Sequence, residues 1–220
     1  MSVVEALEEL RSSTDFLDHL ADLNQAAEDE RRRREQFTED IDEKTKAEFI
    51  NGEVVIHSPA RLAHLNVSFF VVNLLGNFVM RRGLGMIAVE KCFIRCTRND
   101  YEPDICFFTQ ARCAEWEASM KIFPPPDLVV EILSPSTERN DRTIKLHDYA
   151  RHGIGEYWIV DADARTVEQY TLPSKGGYEA RALLVRNDLL VSVAIQGFAA
   201  PATAFFNAQE NQRAFRDLLG

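Results

Sequence analysis

The chain has 220 residues, of which 45% are hydrophobic and 27% charged, and its net charge is −10 at pH 7. This composition is that of a soluble globular protein, and the acidic balance argues against a generally basic nucleic-acid surface. The acid is uneven, because residues 1–46 carry 14 Asp or Glu and 7 Lys or Arg, a net of −7 that leaves −3 for residues 47–220. A local basic groove in the core therefore remains compatible with the composition.

We expect a cytoplasmic protein that neither spans a membrane nor carries a secretory signal. The N-terminus lacks a basic segment followed by an apolar one. No apolar run approaches the roughly 20 residues that a membrane helix needs. The cysteines form no Cys-x-x-Cys pair and have no histidine at zinc-ligand spacing, so we expect reduced core thiols at Cys92, Cys96, Cys106 and Cys113.

Residues 1–43 are predicted to form a helical extension that is only partly buried. Leu17, Leu20 and Leu23 make a short apolar stripe. The charge block from Glu28 to Glu35 is best explained as a solvated helix with no face toward the core. A role of the extension in interaction or oligomerisation stays open.

Residues 44–220 are predicted to form one α/β domain. Asn51-Gly52 between two β runs predicts a hairpin over residues 46–57. Ser58 as N-cap and Pro59 at the first helical position predict a helix that ends at Gly83. Its core-facing stripe contains His64, Val67, Val71, Leu75 and Phe78.

Two strands are predicted to follow this helix. Met86–Cys96 has the pattern of a single strand, and a second strand begins at Asp104. The segment Thr109–Met120 is predicted to be a short helix or a loop. It ends at the prolines of residues 124–126.

The segment Leu128–Ser134 is predicted to be the central strand, because it is too short and too β-branched for a helix. A helix then begins at Ser136 or Thr137 and ends at Gly153, before a strand over residues 156–161. This order implies a right-handed parallel crossover. The last predicted elements are hairpin strands at 166–172 and 178–185 around a turn over 173–177, a strand within 188–194 and a closing helix within 201–217.

Glu131 is the charged residue that the central strand has to accommodate. Both faces of that strand are otherwise apolar, and a buried carboxylate is costly unless it is paired, protonated or metal-bound. Asp104 opens another strand directly after Pro103, and Lys145 lies on the helix that follows Glu131. Two carboxylates at adjacent strand ends can hold a divalent cation, and a nearby lysine can orient or deprotonate water. The pattern suits hydrolysis of a phosphodiester.

Each of these residues also has a structural interpretation. Glu131 can belong to a buried salt bridge, because structural networks also perturb carboxylates. Lys145 can form an ordinary surface ion pair with Asp141 or Asp148, worth about 0.3–0.5 kcal/mol. His64 on an apolar helix face is more often a core residue with satisfied hydrogen bonds than a ligand.

Short motifs in a specific order extend this picture over residues 44–206. They are Glu48-Phe-Ile-Asn-Gly52-Glu, Ser58-Pro59, His64, Pro103-Asp104-Ile, Val130-Glu131-Ile-Leu-Ser134-Pro-Ser136-Thr, Lys145, Tyr149, Gly153 and Glu156-Tyr-Trp158. Together they resemble the Uma2 family of restriction-endonuclease-like proteins in the PD-(D/E)XK nuclease superfamily. The resemblance implies a restriction-endonuclease-like core, with a central mixed sheet flanked by helices. It also implies a nuclease site that uses Mg²⁺, with Mn²⁺ as the alternative ion.

The resemblance assigns the site residues one by one. Asp104 matches the Asp of the superfamily's "PD" and Glu131 its second acid, so both are implied metal ligands. The usual lysine would stand two residues after the second acid, where this chain has Leu133. In this family a lysine on the next helix takes that role, and Lys145 matches it. The remaining implied site residues are Glu48, an acid from the N-terminal part of the core, and His64.

The implied function is metal-dependent hydrolysis of DNA phosphodiesters. Asp104 and Glu131 would bind the metal, and Lys145 would position or activate the water. Glu48 would assist directly or through water, and His64 would orient a carboxylate. A homodimer is expected, because one such domain addresses one strand at a time. Two alternatives stay open: a catalytically inactive module of the same fold that binds nucleic acid or a protein, and an oligomeric interaction protein that binds a partner through its extension.

Overall fold

A six-stranded mixed sheet is the centre of the fold in the computed structural model, which describes residues 1–42, 44–173 and 177–219. Its strands, in spatial order, are β11 (Glu179–Val185), β10 (Thr166–Thr171), β9 (Glu156–Asp161), β8 (Leu128–Ile132), β6 (Ile105–Thr109) and β3 (Gly85–Val89). Strands β8 and β9 are parallel, and the other neighbours are antiparallel. The predicted central strand and its parallel crossover are confirmed.

A second sheet of five strands packs against one face of the first. In spatial order its strands are β2 (Glu53–Ile56), β1 (Ala47–Ile50), β5 (Asp100–Tyr101), β4 (Phe93–Arg95) and β7 (Ile122–Phe123). Strands β12 (Leu189–Val191) and β13 (Ala199–Pro201) form a separate pair. The predicted hairpin around Asn51-Gly52 is β1–β2. Of the turn predicted over 173–177, residues 174–176 lie outside the described residues.

Helices cover both faces of the six-stranded sheet, as predicted. The α-helices of the described chain are α1 (Val3–Ser12), α2 (Phe16–Asp40), α3 (Leu62–Arg82), α4 (Gln110–Cys113), α5 (Glu138–Asn140), α6 (Leu146–Arg151) and α7 (Ala208–Leu219). Helices α3 and α7, with the 3₁₀ turn Ala202–Phe205, pack on the face that presents Val130. Helix α6 and the five-stranded sheet pack on the opposite face, which presents Val129. All four cysteines are free thiols, and three of them are buried.

Helix α3 starts later than Ser58 and Pro59 predict. Arg61 is its N-cap and Leu62 its first residue. A proline suits an extended segment as well as a first helical turn, and it pushes the residue before it toward extended backbone. The predicted core stripe on α3 is correct from Val67 onward, and the helix ends at Gly83 in the left-handed conformation.

Helix α3 also corrects the expectation about membrane spans. It has 21 residues and is long and apolar enough, by length and composition, to cross a membrane. One such helix is a weak indication, because core helices of soluble proteins pass the same test. In this fold its buried side packs on the six-stranded sheet.

The strand predicted over Met86–Cys96 is wrong, since the structure divides it into β3 and β4 in different sheets. The break falls at Glu90, whose φ is +60°. Residues other than glycine rarely adopt this left-handed conformation. The apolar residues on both sides of Glu90 do not indicate it in the sequence. The chain thereby leaves the six-stranded sheet and enters the second one.

The helix predicted after β8 is interrupted. A π-helical turn, Asp141–Lys145, separates α5 from α6. Tyr149 is fully buried, whereas Leu146 and Ala150 are only partly buried. A π turn rotates the helical residues after it relative to those before it. The 3.6-residue period of a regular helix does not predict this rotation.

The charge block of the extension is less solvated than predicted. Arg34, on α2, donates to both carboxylate oxygens of the fully buried Asp100 at 2.7 Å. It also donates to the carbonyls of Cys96, Thr97 and Asn99. The C-terminal part of α2 is therefore fixed to the turn between β4 and β5.

We expect the Arg34→Met variant to lose about 2 kcal/mol of unfolding free energy, because Asp100 would lose its main partner and keep only Arg95. The matched control is Arg31→Met on the same helix. Arg31 pairs with the exposed Glu28, so the expected loss is under about 0.5 kcal/mol. Urea unfolding measures both, and equal losses would contradict the anchoring role of Arg34.

Candidate active site

Two acidic residues face each other across β6 and β8. The antiparallel register pairs Ile105 with Val130, so Asp104, directly before β6, lies opposite Glu131. The Asp104 N–H lies 3.4 Å from Glu131 Oε2, and Asp104 Oδ2 accepts a 2.8 Å bond from the Ile132 N–H. Both carboxylates point to the face covered by α6 and the five-stranded sheet. The structure thus brings together the two acids that the sequence singled out.

Lys145 is the buried cation of this cluster. Its Nζ donates to Glu131 Oε1 at 2.9 Å and lies 3.0 Å from both Glu48 Oε1 and Asp141 Oδ1. Lys145 is fully buried, so the alternative of an ordinary surface pair with Asp141 or Asp148 is wrong. The contact with Asp141 is an ion pair by distance without hydrogen-bond geometry.

Tyr149 completes the arrangement around Glu131. Its hydroxyl donates to Glu131 Oε1 at 2.9 Å. Lys145 and Tyr149 thus share one carboxylate oxygen, and the other, Oε2, is directed toward Asp104. Because these donors come from a packed helix, the carboxylate is fixed in orientation.

Burial and like charges act strongly on Glu131. Burial, together with Asp141, Asp104 and Glu48, raises the pKa of Glu131 from 4.5 to about 8, although Lys145 opposes the shift. Burial and the neighbouring carboxylates therefore favour the protonated form of Glu131 at neutral pH.

Glu48 stays ionised in the same cluster. Burial alone would raise its pKa, but Lys145 and His57 outweigh burial and lower the pKa of Glu48 to about 2. His57 Nε2 lies 3.1 Å from Glu48 Oε2. The Glu102 N–H donates to Glu48 Oε1, and this bond connects β1 to the segment directly before Asp104.

Asp104 has a different set of partners, at the outer edge of the site. Lys46 Nζ lies 2.5 Å from Asp104 Oδ1 and 2.9 Å from Glu90 Oε2, and His64 Nε2 lies 3.6 Å from Asp104 Oδ1. Burial would raise the pKa of Asp104, but His64 and Lys46 together hold it below its usual range. His64 is therefore at the site.

The sequence reasoning missed Lys46 and Glu90. Lys46 could have been found, because it precedes Glu48 by two residues on extended chain, and such residues point to the same side. Glu90 had no signal, since its place depends on the break between β3 and β4. Asp141 was noted only as a possible surface partner of Lys145.

The donor atoms at the outer edge fit a divalent cation. One ligand atom each of His64, Glu90 and Asp104 can be chosen so that all lie within 4.8 Å of one another. Carboxylate oxygens suit Mg²⁺ and Mn²⁺, and imidazole suits first-row transition metals. The side chains of Lys46 and Glu90 are 18% and 39% exposed, so solvent reaches the site from this side. A separate groove, whose lining includes Lys91 and Glu102, contains none of the five predicted site residues.

A second cluster, Cys96, Asp148 and His152, has similar spacing but is already hydrogen-bonded. The Thr97 N–H donates to His152 Nε2 at 2.9 Å, so Nδ1 carries the hydrogen and bonds the Asp148 carbonyl at 2.7 Å. Burial, Asp148 and Asp100 raise the pKa of the Cys96 thiol to about 12. This cluster is structural.

Comparison with known proteins decides the family. The model of the Uma2 family, described as "Putative restriction endonuclease", matches residues 34–203. The chain belongs to the Uma2 family. The matched range contains every residue of the candidate site, and the Uma2 match begins at Arg34, the residue that fixes α2 to the core.

A solved structure shows the same fold. It is the crystal structure of a "putative nuclease belonging to DUF820" from Anabaena variabilis, with a TM-score of 0.67 and 20% sequence identity. The similarity covers 78% of this chain and 96% of that one. No curated protein matches this chain. The restriction-endonuclease-like fold is confirmed, and the Uma2 family supports a nuclease.

Proposed function

We propose that this Uma2-family protein is a metal-dependent endonuclease that hydrolyses DNA phosphodiester bonds. The observation that carries the proposal is the opposition of Asp104 and Glu131 on neighbouring strands, with Lys145 bonded to Glu131 from the following helix. Acid, acid and lysine in one cluster are the parts that such hydrolysis needs.

Asp104 and Glu131 would hold Mg²⁺ or Mn²⁺. When bound, the ion supplies Lewis-acid stabilisation of the negative charge on the phosphate. Glu131 Oε2 is the oxygen available for this, since Oε1 is bonded to Lys145 and Tyr149. Mg²⁺ commonly uses one or two carboxylates together with water and phosphate oxygens, so this pair is sufficient.

The other residues act on these carboxylates. Lys145, with no exposed surface, positions Glu131 and compensates the charge of Glu48 and Asp141. Asp141, Glu131 and Glu48 in turn outweigh burial and raise the pKa of Lys145, which keeps it charged. His64 lies beside Asp104 Oδ1 and orients that carboxylate.

The proposal includes a cytoplasmic homodimer without a membrane role. Each domain carries one cluster, and cleavage of a duplex requires two strands to be addressed. One side of helix α3 packs on the six-stranded sheet, whereas a membrane-spanning helix would expose that side to lipid.

Plasmid cleavage tests the proposal. We expect nicking or linearisation with Mg²⁺ or Mn²⁺, none with a chelator, and a loss of about 100-fold or more for Asp104→Asn. The matched control is Asp163→Asn, the same change at an exposed ion pair with Arg61, which should cleave as the native chain does. Equal activity of native chain and Asp104→Asn would indicate a contaminating nuclease. Absence of cleavage in all samples would favour the non-catalytic binding module.

A further inference from the structure

We propose that Glu90 joins Asp104 and Glu131 as a ligand of the divalent cation, and that Lys46 holds the place of that cation between Asp104 and Glu90 and leaves these two carboxylates when it binds. The inference rests on the proposed metal dependence of the site. It assigns a role to a residue outside the predicted acid, acid and lysine set.

The position of the Lys46 ammonium is the first argument. Its Nζ lies within 2.9 Å of both Asp104 Oδ1 and Glu90 Oε2. These two carboxylates, with His64, are the donor group that fits a metal ion. Mg²⁺ binds oxygen at about 2.0–2.1 Å, so an ammonium and a metal ion cannot occupy the same position between two carboxylates. Their like charges also repel at such distances.

The two lysines of the site differ in their freedom to move. Lys145 is enclosed by three carboxylates and has no exposed surface. The Lys46 side chain is 18% exposed, and its partner Glu90 is 39% exposed. A lysine ammonium is a well-hydrated point charge on a flexible four-carbon chain. Lys46 can therefore move into solvent, whereas Lys145 cannot.

The backbone around Glu90 is built to bring its carboxylate to this place. Glu90 has a φ of +60°, and its N–H donates to the Asp104 carbonyl at 2.8 Å. A non-glycine residue in this conformation costs free energy and often marks a functional position. The break between β3 and β4 thus sets Glu90 beside Asp104, with Lys46 between them.

Once displaced, the Lys46 ammonium is next to the place where a phosphate must approach Asp104. It exchanges two carboxylates for the phosphodiester anion, so Lys46 keeps an ionic partner when metal and DNA are both bound. Metal binding would then prepare the site for the substrate.

Calorimetric titration of Mn²⁺ into the full chain without DNA tests the exchange. We expect Lys46→Met to bind Mn²⁺ about tenfold or more tightly than the native chain, because no ammonium has to leave. The matched control is Lys91→Met, which removes a lysine that is 34% exposed and pairs with the buried Glu102 at 2.7 Å. Since both variants lose one positive charge, a change in Lys91→Met of no more than about twofold would show that net charge is not the cause.

A measurement on the native chain avoids any folding defect of Lys46→Met. Reductive methylation followed by mass spectrometry reports how accessible each lysine amine is. We expect Mn²⁺ to increase the labelling of Lys46 by about threefold or more, since a group freed from two ion pairs becomes accessible, and to leave Lys91 unchanged.

The outcomes separate this inference from the proposed function. Equal Mn²⁺ affinity of native chain and Lys46→Met, or unchanged Lys46 labelling, overturns the exchange even if DNA is cleaved. Tighter binding and increased labelling without DNA cleavage support the exchange and remove the nuclease proposal. Absence of Mn²⁺ binding in both chains overturns both.

Discussion

Replacing Lys145 by methionine is expected to lower the free energy of unfolding by about 3–5 kcal/mol at pH 7. The variant leaves Glu48, Glu131 and Asp141 buried around an apolar side chain, with no ammonium within 3.0 Å. An uncompensated buried charge costs far more than the pair contributes when both partners are present. The loss should be smaller at pH 5, because carboxylates without their cation take up protons more readily.

Urea unfolding monitored by circular dichroism measures this loss. Lys121→Met makes the same chemical change at an exposed position and should cost less than about 0.5 kcal/mol. Adding Glu48→Gln to Lys145→Met should recover part of the loss, because Glu48 is the ionised acid that loses Lys145 as its partner. A loss below about 1 kcal/mol for Lys145→Met would show that the ammonium does not hold the cluster together.

The Glu131→Gln variant should behave in the opposite way, with activity lost and the fold retained. We expect Mg²⁺-dependent cleavage to fall about 100-fold or more, since the amide is a poor metal ligand in place of the carboxylate. The protonated form of Glu131 is favoured in the folded chain, so the neutral amide should change stability at pH 5, near the reference pKa of 4.5, by less than about 1 kcal/mol. Plasmid cleavage and urea unfolding on the same preparation separate the two effects, and a variant that unfolds or cleaves normally would contradict the assignment.

The same variant reveals a pH dependence of stability. The pKa of Glu131 is about 8 in the folded chain and 4.5 as its reference value, so between these values the folded chain binds the extra proton. The free energy of unfolding therefore falls as pH rises from about 5 to 8, by a few kcal/mol at about 1.4 kcal/mol per pKa unit. Glu131→Gln should remove this decrease. Parallel stability profiles of both chains, measured without metal, would contradict it.

Periodicity and local chemistry were sufficient for much of the fold. The apolar run around Glu131 is bounded by turn signals, which makes a buried strand the consistent choice, and the helix after it implies the parallel crossover. The charged Glu131 on that strand also indicated a functional site, although the sequence alone did not show which residues contact it. Asp104 could be predicted beside it from its place at a strand start after proline and from the family resemblance.

What could not be predicted depends on backbone departures from regular geometry. The left-handed Glu90 divides one apolar run into two strands, and no residue type at that position announces it. A surface ion pair was the structural interpretation of Lys145 on a regular helix, whereas Lys145 lies in the π turn and is buried. Arg34 and Asp100 are 66 residues apart in the sequence. A pattern of neighbouring residues does not predict a contact between residues that far apart in the chain.

The π turn at Asp141–Lys145 makes the site sensitive to the length of the chain as well as to its composition. Each residue of a regular helix advances the facing by about 100°. Deletion of one residue within the turn would restore a regular helix and rotate Asp141 by about that angle relative to Tyr149. Every functional side chain would still be present, yet Lys145 and Tyr149 could no longer share one oxygen of Glu131 while Asp141 stays in contact. The extra residue of this turn thus sets the rotation of Asp141 relative to Tyr149, so that both side chains reach the carboxylate cluster.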